Sequence, residues 1–136
     1  MRFDTKIAIV VRSDLAVWQK LNVTAFLASA VAGSHPETIG APYLDGSGVE
    51  YLSMFRQPVL VYGASYDELA QIREKAKSRG LDVAVYIDEM FKTGHDMANR
   101  ETVQAVESAD LRLAGLAVHG PKNALDKTLK GLSLHP

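Results

Sequence analysis

The apolar run at residues 7–11 constrains the fold of this chain more than any other feature. All five residues are apolar and four of them are β-branched. Such a run is typical of a strand whose two faces are both covered by helices, because neither face offers water a polar side chain. The sequence therefore predicts a central strand at residues 7–11. Ser13 or Asp14 is the expected N-cap of the helix that follows, with Gly33 as its C-cap.

The rest of the chain alternates between strand and helix patterns. A tight hairpin is predicted at 43–51, strands at 58–62, 81–87 and 111–119, and helices at 65–79, at 99–109 and from Pro121 onward. This order predicts an α/β three-layer sandwich with a mixed central sheet of four or five strands. Strand 81–87 follows a crossover helix, so we expect it to run parallel to strand 58–62. The length predicts a single domain over residues 1–136.

The first helix has apolar residues at helical spacing. The positions expected to face the sheet are Leu15, Trp18, Leu21, Ala25 and Ala28. Trp18 is the only tryptophan, and this spacing favours core packing over a role as a ligand platform.

Composition excludes several classes of function. The chain has no cysteine, which rules out disulfides and thiolate chemistry and fits a cytoplasmic location. No apolar run is long enough to span a membrane. The net charge of −1 does not favour nucleic-acid binding. The four histidines are scattered and lack the spacing of a zinc-binding helix, so we expect neither a metal nor a cofactor.

Several motifs carry a family resemblance. The order Val10-Val11-Arg12-x-Asp14-Leu15, followed by an alanine-rich helix, resembles the opening of the type 2 peptidyl-tRNA hydrolases. The ending Leu116-Ala-Val-His-Gly120-Pro121 resembles their last strand and helix start. Residues 18–26 and 88–99 are similar to an uncharacterised bacterial family, the domain of unknown function 2000, which is grouped with that hydrolase superfamily. The resemblance implies a peptidyl-tRNA hydrolase type 2-like fold and a homodimer.

The hydrolase motifs are only partly retained. Their Gly-Lys-Gly-Lys loop corresponds to residues 16–20, where Lys20 is the one lysine. Their helical glutamine falls at Thr24, and their loop carboxylate falls at Asp88 without the glycine beside it. We therefore do not expect tRNA as a partner.

Two hypotheses for function stay open. One is a hydrolase of an acyl ester or amide in which Lys20 and Asp88, each near the carboxyl end of a strand at the same edge of the sheet, polarise a water or carbonyl. Thr24 lies one helical turn beyond Lys20. The other is a non-catalytic module that binds a small ligand or a partner in the same crevice. In both, the candidate ligand-binding residues are Arg12, Asp14, Asn22, Thr93, His95 and Asn99. Each of these residues also has a purely structural interpretation. Lys20 and Asp88 would form an ion pair that only stabilises the fold. The segment after Asp88 would be a solvated loop in which Asp96 or Asn99 caps the next helix.

The hairpin region is more apolar than a solvated hairpin requires. Tyr43, Tyr51, Met54 and Phe55 lie in or beside it. Exposed apolar patches of this kind often mark interfaces between proteins. Together with the resemblance, they predict a homodimer.

Overall fold

The computed structural model describes residues 2–136 and contains seven strands and four α-helices in that part of the chain. The strands are β1 (Thr5–Arg12), β2 (Tyr43–Leu44), β3 (Glu50–Tyr51), β4 (Val59–Ala64), β5 (Asp82–Ile87), β6 (Leu113–Pro121) and β7 (Ser133–Leu134). The helices are α1 (Val17–Ser34), α2 (Tyr66–Ser78), α3 (Asp96–Gln104) and α4 (Lys122–Thr128). Short 3-10 turns occupy Pro36–Thr38, Asp88–Lys92 and Ser108–Asp110.

Five strands form a mixed sheet in the order β5-β6-β1-β4-β7. β1 is central, runs parallel to β4 and antiparallel to β6, and β6 is in turn antiparallel to β5. β5 therefore points in the same direction as β1 and β4, as the sequence predicts, and the carboxyl ends of β1 and β5 lie at the same edge. The predicted hairpin is also formed, by β2 and β3.

Two apolar clusters cover the two faces of the sheet. Ala8 and Val10 pack on one face with α2 and α4. Ile7, Ile9 and Val11 pack on the other face with α1. All five side chains are at most 1% exposed, which confirms the doubly covered central strand and the mixed sheet flanked by helices.

Helix α1 is rotated relative to the sequence prediction. Its buried residues are Val23, Leu27 and Val31. Trp18 and Leu21 are 59% and 67% exposed, so the prediction that they face the sheet was wrong. Apolar residues occur around most of this helix, so their spacing does not select one face.

The predicted caps of α1 were also wrong. The side chain of Gln19 accepts a hydrogen bond from the backbone N–H of Ala16 at 3.0 Å, which closes the helix start. Gly33 lies inside the helix and His35 follows its last residue. The capping box of α2 is formed as predicted, with reciprocal hydrogen bonds between Ser65 and Glu68.

A glycine in β6 sets the distance between α1 and the sheet. A Cβ atom at Gly115 would lie 2.7 Å from Cγ1 of Val23 and 2.8 Å from the carbonyl oxygen of Val10. Real Cβ atoms do not approach this closely, so α1 can pack on β6 only because residue 115 has no side chain.

Candidate functional site

A buried arginine joins the carboxyl ends of β1 and β5. Arg12 donates from Nε to Asp14 at 2.6 Å and from Nη1 to Asp88 at 2.8 Å. Nη1 also donates to the carbonyl oxygen of Leu113 at 2.8 Å, and the guanidinium lies over the ring of Tyr66 in α2. Burial alone would lower the pKa of Arg12, but the hydrogen bonds and charges of the two carboxylates raise it above its ordinary value. Arg12 and Asp14, expected as ligand groups, thus bind each other, and Arg12 also binds Asp88.

The carboxylate of Asp88 forms ion pairs with two arginines, Arg12 and Arg112. Its second oxygen lies 3.8 Å from Nε of Arg112, which is equally close to Glu89. The sequence predicts that Lys20 and Asp88 lie within direct or water-bridged reach of each other. Lys20 forms no ion pair with any of residues 2–136, so a direct contact is absent and the carboxylate of Asp88 binds arginines instead. The reason is topological. Asp88 binds Arg12 on the side of the sheet that α2 covers, whereas Lys20 belongs to α1 on the other side.

Thr24 shares a flank of α1 with Lys20, as its spacing predicts. Its hydroxyl donates to the carbonyl oxygen of Lys20 at 2.7 Å. Asn22 lies about 200° around the helix from Thr24, because each residue turns an α-helix by about 100°. The proposed catalytic residues on α1 and the proposed ligand-binding residue Asn22 therefore face different surroundings.

An aromatic cleft lies beside that opposite flank of α1. It has a volume of about 470 Å³ and is formed by α1, the end of β5, the turn after it and the start of α3. Trp18 packs edge-on against Phe91 with ring centroids 5.8 Å apart. Phe91 contacts Tyr86 at 5.0 Å, and Tyr86 contacts Phe26 at 5.7 Å. The four rings form one continuous wall of the cleft.

Four of the predicted ligand-binding residues line this cleft: Asn22, Thr93, His95 and Asn99. The Thr93 hydroxyl donates to the carbonyl oxygen of Met90 at 2.9 Å and contacts the side-chain amide of Asn99. His95, rather than Asp96 or Asn99, caps α3, because its Nδ1 accepts from the N–H of Ala98 at 3.2 Å. Loop residues 93–95 are therefore held in place and form one side of the cleft.

Several polar groups in the cleft have no partner among residues 2–136. Asn22 makes no side-chain hydrogen bond, the Nε2 atom of His95 has none, and the side-chain amide of Asn99 makes only its contact with Thr93. The hydroxyl of Tyr86 also has no protein partner, and burial raises its pKa above the ordinary value. The cleft therefore combines an apolar wall with unused hydrogen-bonding groups, which is the usual composition of a small-molecule site.

A larger cavity, of about 700 Å³, lies at the opposite edge of the sheet. Residues 2–7 form much of its lining, together with Gln57 and Pro121. None of the residues expected to act in a site lines it. The aromatic cleft is therefore the better candidate.

Two histidines that are far apart in sequence meet at that same opposite edge. The rings of His35 and His119 have centroids 4.0 Å apart, and Asp82 is close to both. Burial lowers the pKa of His119 below its ordinary value, and the neighbouring His35 lowers it further. No local pattern in the sequence indicates this group, because 84 positions separate the two histidines.

Within residues 2–136, no helix is both long and apolar enough to cross a membrane. The fold and the cleft define an α/β domain with a mixed five-stranded sheet and a candidate small-molecule site at its carboxyl edge. Residues 5–136 match the family described as "Protein of unknown function (DUF2000)", and the chain belongs to that family.

One solved structure shows the same fold over the whole chain. It is a protein of unknown function from Agrobacterium tumefaciens, 42% identical in sequence, with a TM-score of 0.95. The match covers 99% of this chain and 100% of the other. No protein of curated function matches. The predicted family is confirmed, whereas its grouping with the peptidyl-tRNA hydrolases stays a prediction.

Proposed function

We propose that this protein binds a small, neutral or cationic molecule with a planar apolar group in the cleft beside α1. The observation that supports this most strongly is Trp18, which is more than half exposed and packs against Phe91 in a T-shaped arrangement. A large aromatic side chain left open to water beside three other rings offers a flat ligand a stacking surface.

The polar lining would orient the ligand. Asn22 offers one acceptor and two donors from α1, and Asn99 offers its amide from α3 on the other side of the cleft. These groups would bind polar atoms at the edge of a ring whose faces contact the aromatic wall. Because Asn22 belongs to α1 and Asn99 to α3, a ligand bound to both would join the two helices.

The charges of the lining favour some ligands over others. Among residues 2–136, no lysine or arginine lines the cleft, and the one carboxylate of the lining, Asp96, already pairs with Arg100 at 2.8 Å. A phosphate or carboxylate ligand would therefore find no cation to pair with, and burying an unpaired charge is unfavourable. This argues against nucleotides and charged acyl compounds as ligands.

The alternative is an acyl ester or amide hydrolase acting through Lys20, Asp88 and Thr24. Asp88 is bound by Arg12, and the Thr24 hydroxyl already donates to the helix backbone. Neither residue lines the aromatic cleft, nor does Lys20. The geometry therefore supports a binding role more strongly than a hydrolytic one.

We also propose that the protein is a homodimer that associates through the β2–β3 hairpin. Tyr43, Leu44, Val49, Tyr51, Leu52 and Met54 are exposed there, and Leu52 is 89% exposed. Phe55, which the sequence predicts in the same patch, instead packs against the core on the α1 face. The remaining apolar side chains form a patch that a second copy of the hairpin would cover.

Ligand-observed NMR on the purified protein tests the binding function. The protein is screened against planar aromatic fragments in three sets: neutral, cationic and phosphate-bearing. We expect saturable binding from the first two sets only, weakened by Asn22→Ala and retained by Lys20→Ala, two substitutions on the same helix. No saturable binding from any set, or equal loss in both variants, would refute the proposal.

A further inference from the structure

The histidine pair at the amino-terminal edge of the sheet has the features of a metal site. Asp82 begins β5 and lies directly opposite His119 in the antiparallel pairing of β5 with β6. His35 follows the last residue of α1 and reaches the same spot. One nitrogen from each ring and one carboxylate oxygen all lie within 4.8 Å of one another.

A buried nitrogen in this group has no partner. His119 is only 7% exposed, and its Nε2 atom makes no hydrogen bond with any of residues 2–136. Buried polar atoms nearly always have a partner, so an orphaned ring nitrogen needs an explanation. A cavity of about 70 Å³, lined by His35, Asp82 and His119 among small apolar residues, lies beside it. The group thus encloses room for one small species next to a free nitrogen.

A second carboxylate orients His35. Nδ1 of His35 lies 2.9 Å from Glu37, and Nε2 of the same ring lies 2.8 Å from Asp82. A carboxylate on one ring nitrogen is the usual way to direct the other nitrogen of a histidine toward a metal. With Nδ1–H donating to Glu37, the lone pair of Nε2 faces the carboxylate of Asp82, beside the ring of His119. The ring donates to both carboxylates at once only if it carries two protons, so a metal here would replace a proton.

We propose that His35, His119 and Asp82 bind a divalent transition metal, with zinc as the expected ion and Glu37 as the residue that positions His35. Two imidazoles and one carboxylate suit zinc, whereas calcium and magnesium prefer sites made of oxygen alone. Bonds of about 2.0–2.1 Å place neighbouring ligands of a tetrahedral zinc about 3.3 Å apart. The spacing of the three groups must therefore adjust, and Nε2 of His35 and the Asp82 carboxylate, now 2.8 Å apart, must separate slightly. The side chain of Asp82 is 70% exposed and free to make that movement.

The end of α1 also favours a cation. The carbonyl groups at the carboxyl end of a helix carry partial negative charge, and the last turn of α1 contains no basic residue. A metal at His35 would lie at this end and would join α1 to β5 and β6. It lies at the edge of the sheet opposite Arg12 and Asp88, so this inference does not depend on the proposed ligand cleft.

Calorimetric titration of the metal-free protein with zinc chloride, and of a second sample with cobalt chloride followed by visible absorption, tests the site. We expect one zinc per chain and cobalt bands of a four-coordinate site. Asp82→Asn should weaken zinc binding at least tenfold, His35→Gln should abolish it, and Glu37→Gln should weaken it by about 10–100-fold. His135→Gln, at a histidine outside both this group and the aromatic cleft, is the matched control and should bind zinc like the wild type.

The variants avoid His119, because replacing this buried residue would also disturb the packing of the fold. Asp82 and Glu37 are exposed and can be replaced without that effect. Absence of stoichiometric zinc binding would overturn the proposal. So would zinc binding that survives His35→Gln and Asp82→Asn, or that is lost in His135→Gln, since the metal would then bind elsewhere on the surface.

Discussion

Arg12 and Asp88 connect two strands that are not neighbours in the sheet. The hydrogen bond from Nη1 of Arg12 to Asp88 is 2.8 Å long and passes the end of β6, which lies between β1 and β5. The same Nη1 atom donates to Leu113, the first residue of β6. One guanidinium thus holds the ends of three adjacent strands together, next to the turn that forms part of the cleft.

Replacement of Asp88 should therefore destabilise the fold. Asp88→Ala leaves Arg12 partly buried with one carboxylate instead of two, and hydrogen bonds to charged groups contribute about 1.5–3 kcal/mol. We expect the free energy of unfolding in urea to fall by about 1–3 kcal/mol. Asp110→Ala, at an exposed carboxylate without a side-chain partner in residues 2–136, should change it by less than about 0.5 kcal/mol. Equal effects of the two substitutions would contradict the structural role of Asp88.

The close approach of α1 to β6 predicts a contrast between two glycines. Gly115→Ala introduces a methyl group against Val23 and the backbone of Val10, and overpacking of this kind costs about 1–3 kcal/mol. Gly33→Ala lies in α1 with no atom within 4 Å of the added carbon. It should be neutral or should stabilise the protein by up to about 1 kcal/mol, because alanine favours helix. Thermal unfolding of both variants measures the contrast, and a harmless Gly115→Ala would show that α1 is not packed as described.

The burial of Tyr86 predicts its behaviour at high pH. Desolvation raises its pKa above the ordinary value of 10.0, so the folded state favours the neutral phenol. The contribution of the neutral Tyr86 phenol to the stability of the folded state is therefore fully present below pH 10, and it is lost as the pH rises through the pKa of the folded state. The difference in phenolate absorbance between the wild type and Tyr86→Phe follows this one residue. A phenolate that forms at or below pH 10 would contradict the buried position.

If the protein dimerises through the β2–β3 hairpin, a charged substitution in that hairpin should separate the two copies. Light scattering at micromolar concentration should give the mass of a dimer for the wild type and of a monomer for Leu52→Glu, because burying that carboxylate at the interface is unfavourable. Met97→Glu, at an exposed apolar residue of α3, should stay dimeric. A monomeric wild type would refute the proposal, and a dimeric Leu52→Glu would exclude the hairpin as the interface.

The sequence predicts the sheet better than the site, for a physical reason. The run at 7–11 is apolar at every position, so it fits only a strand covered on both faces, and the structure confirms this. β7 was missed because only two of its residues pair with β4. The predicted inward face of α1 was wrong because apolar residues surround most of the helix. The space above Gly115, where Val23 and Leu27 pack, is not visible in the spacing of those residues.

The cleft was only half predictable. The polar residues Thr93, His95 and Asn99 follow a strand end and were expected in a site for that reason. The aromatic wall comes from three separate elements and was not predicted, because residues 18, 26, 86 and 91 share no local pattern. The His35–His119 pair depends on the antiparallel placement of β6 beside β5, which no spacing in the sequence shows.

The fluorescence of Trp18 gives the most direct test of the cleft, because the chain contains no other tryptophan. The protein is titrated with a neutral aromatic fragment that binds in the NMR screen. The account predicts a saturable change in Trp18 emission with the same dissociation constant as in the screen. Asn22→Ala should weaken binding about 2–12-fold, the effect of one hydrogen bond, and Lys20→Ala should leave it unchanged. Saturable binding of the fragment without any change in Trp18 emission would contradict the account, because the ligand would then lie outside the cleft.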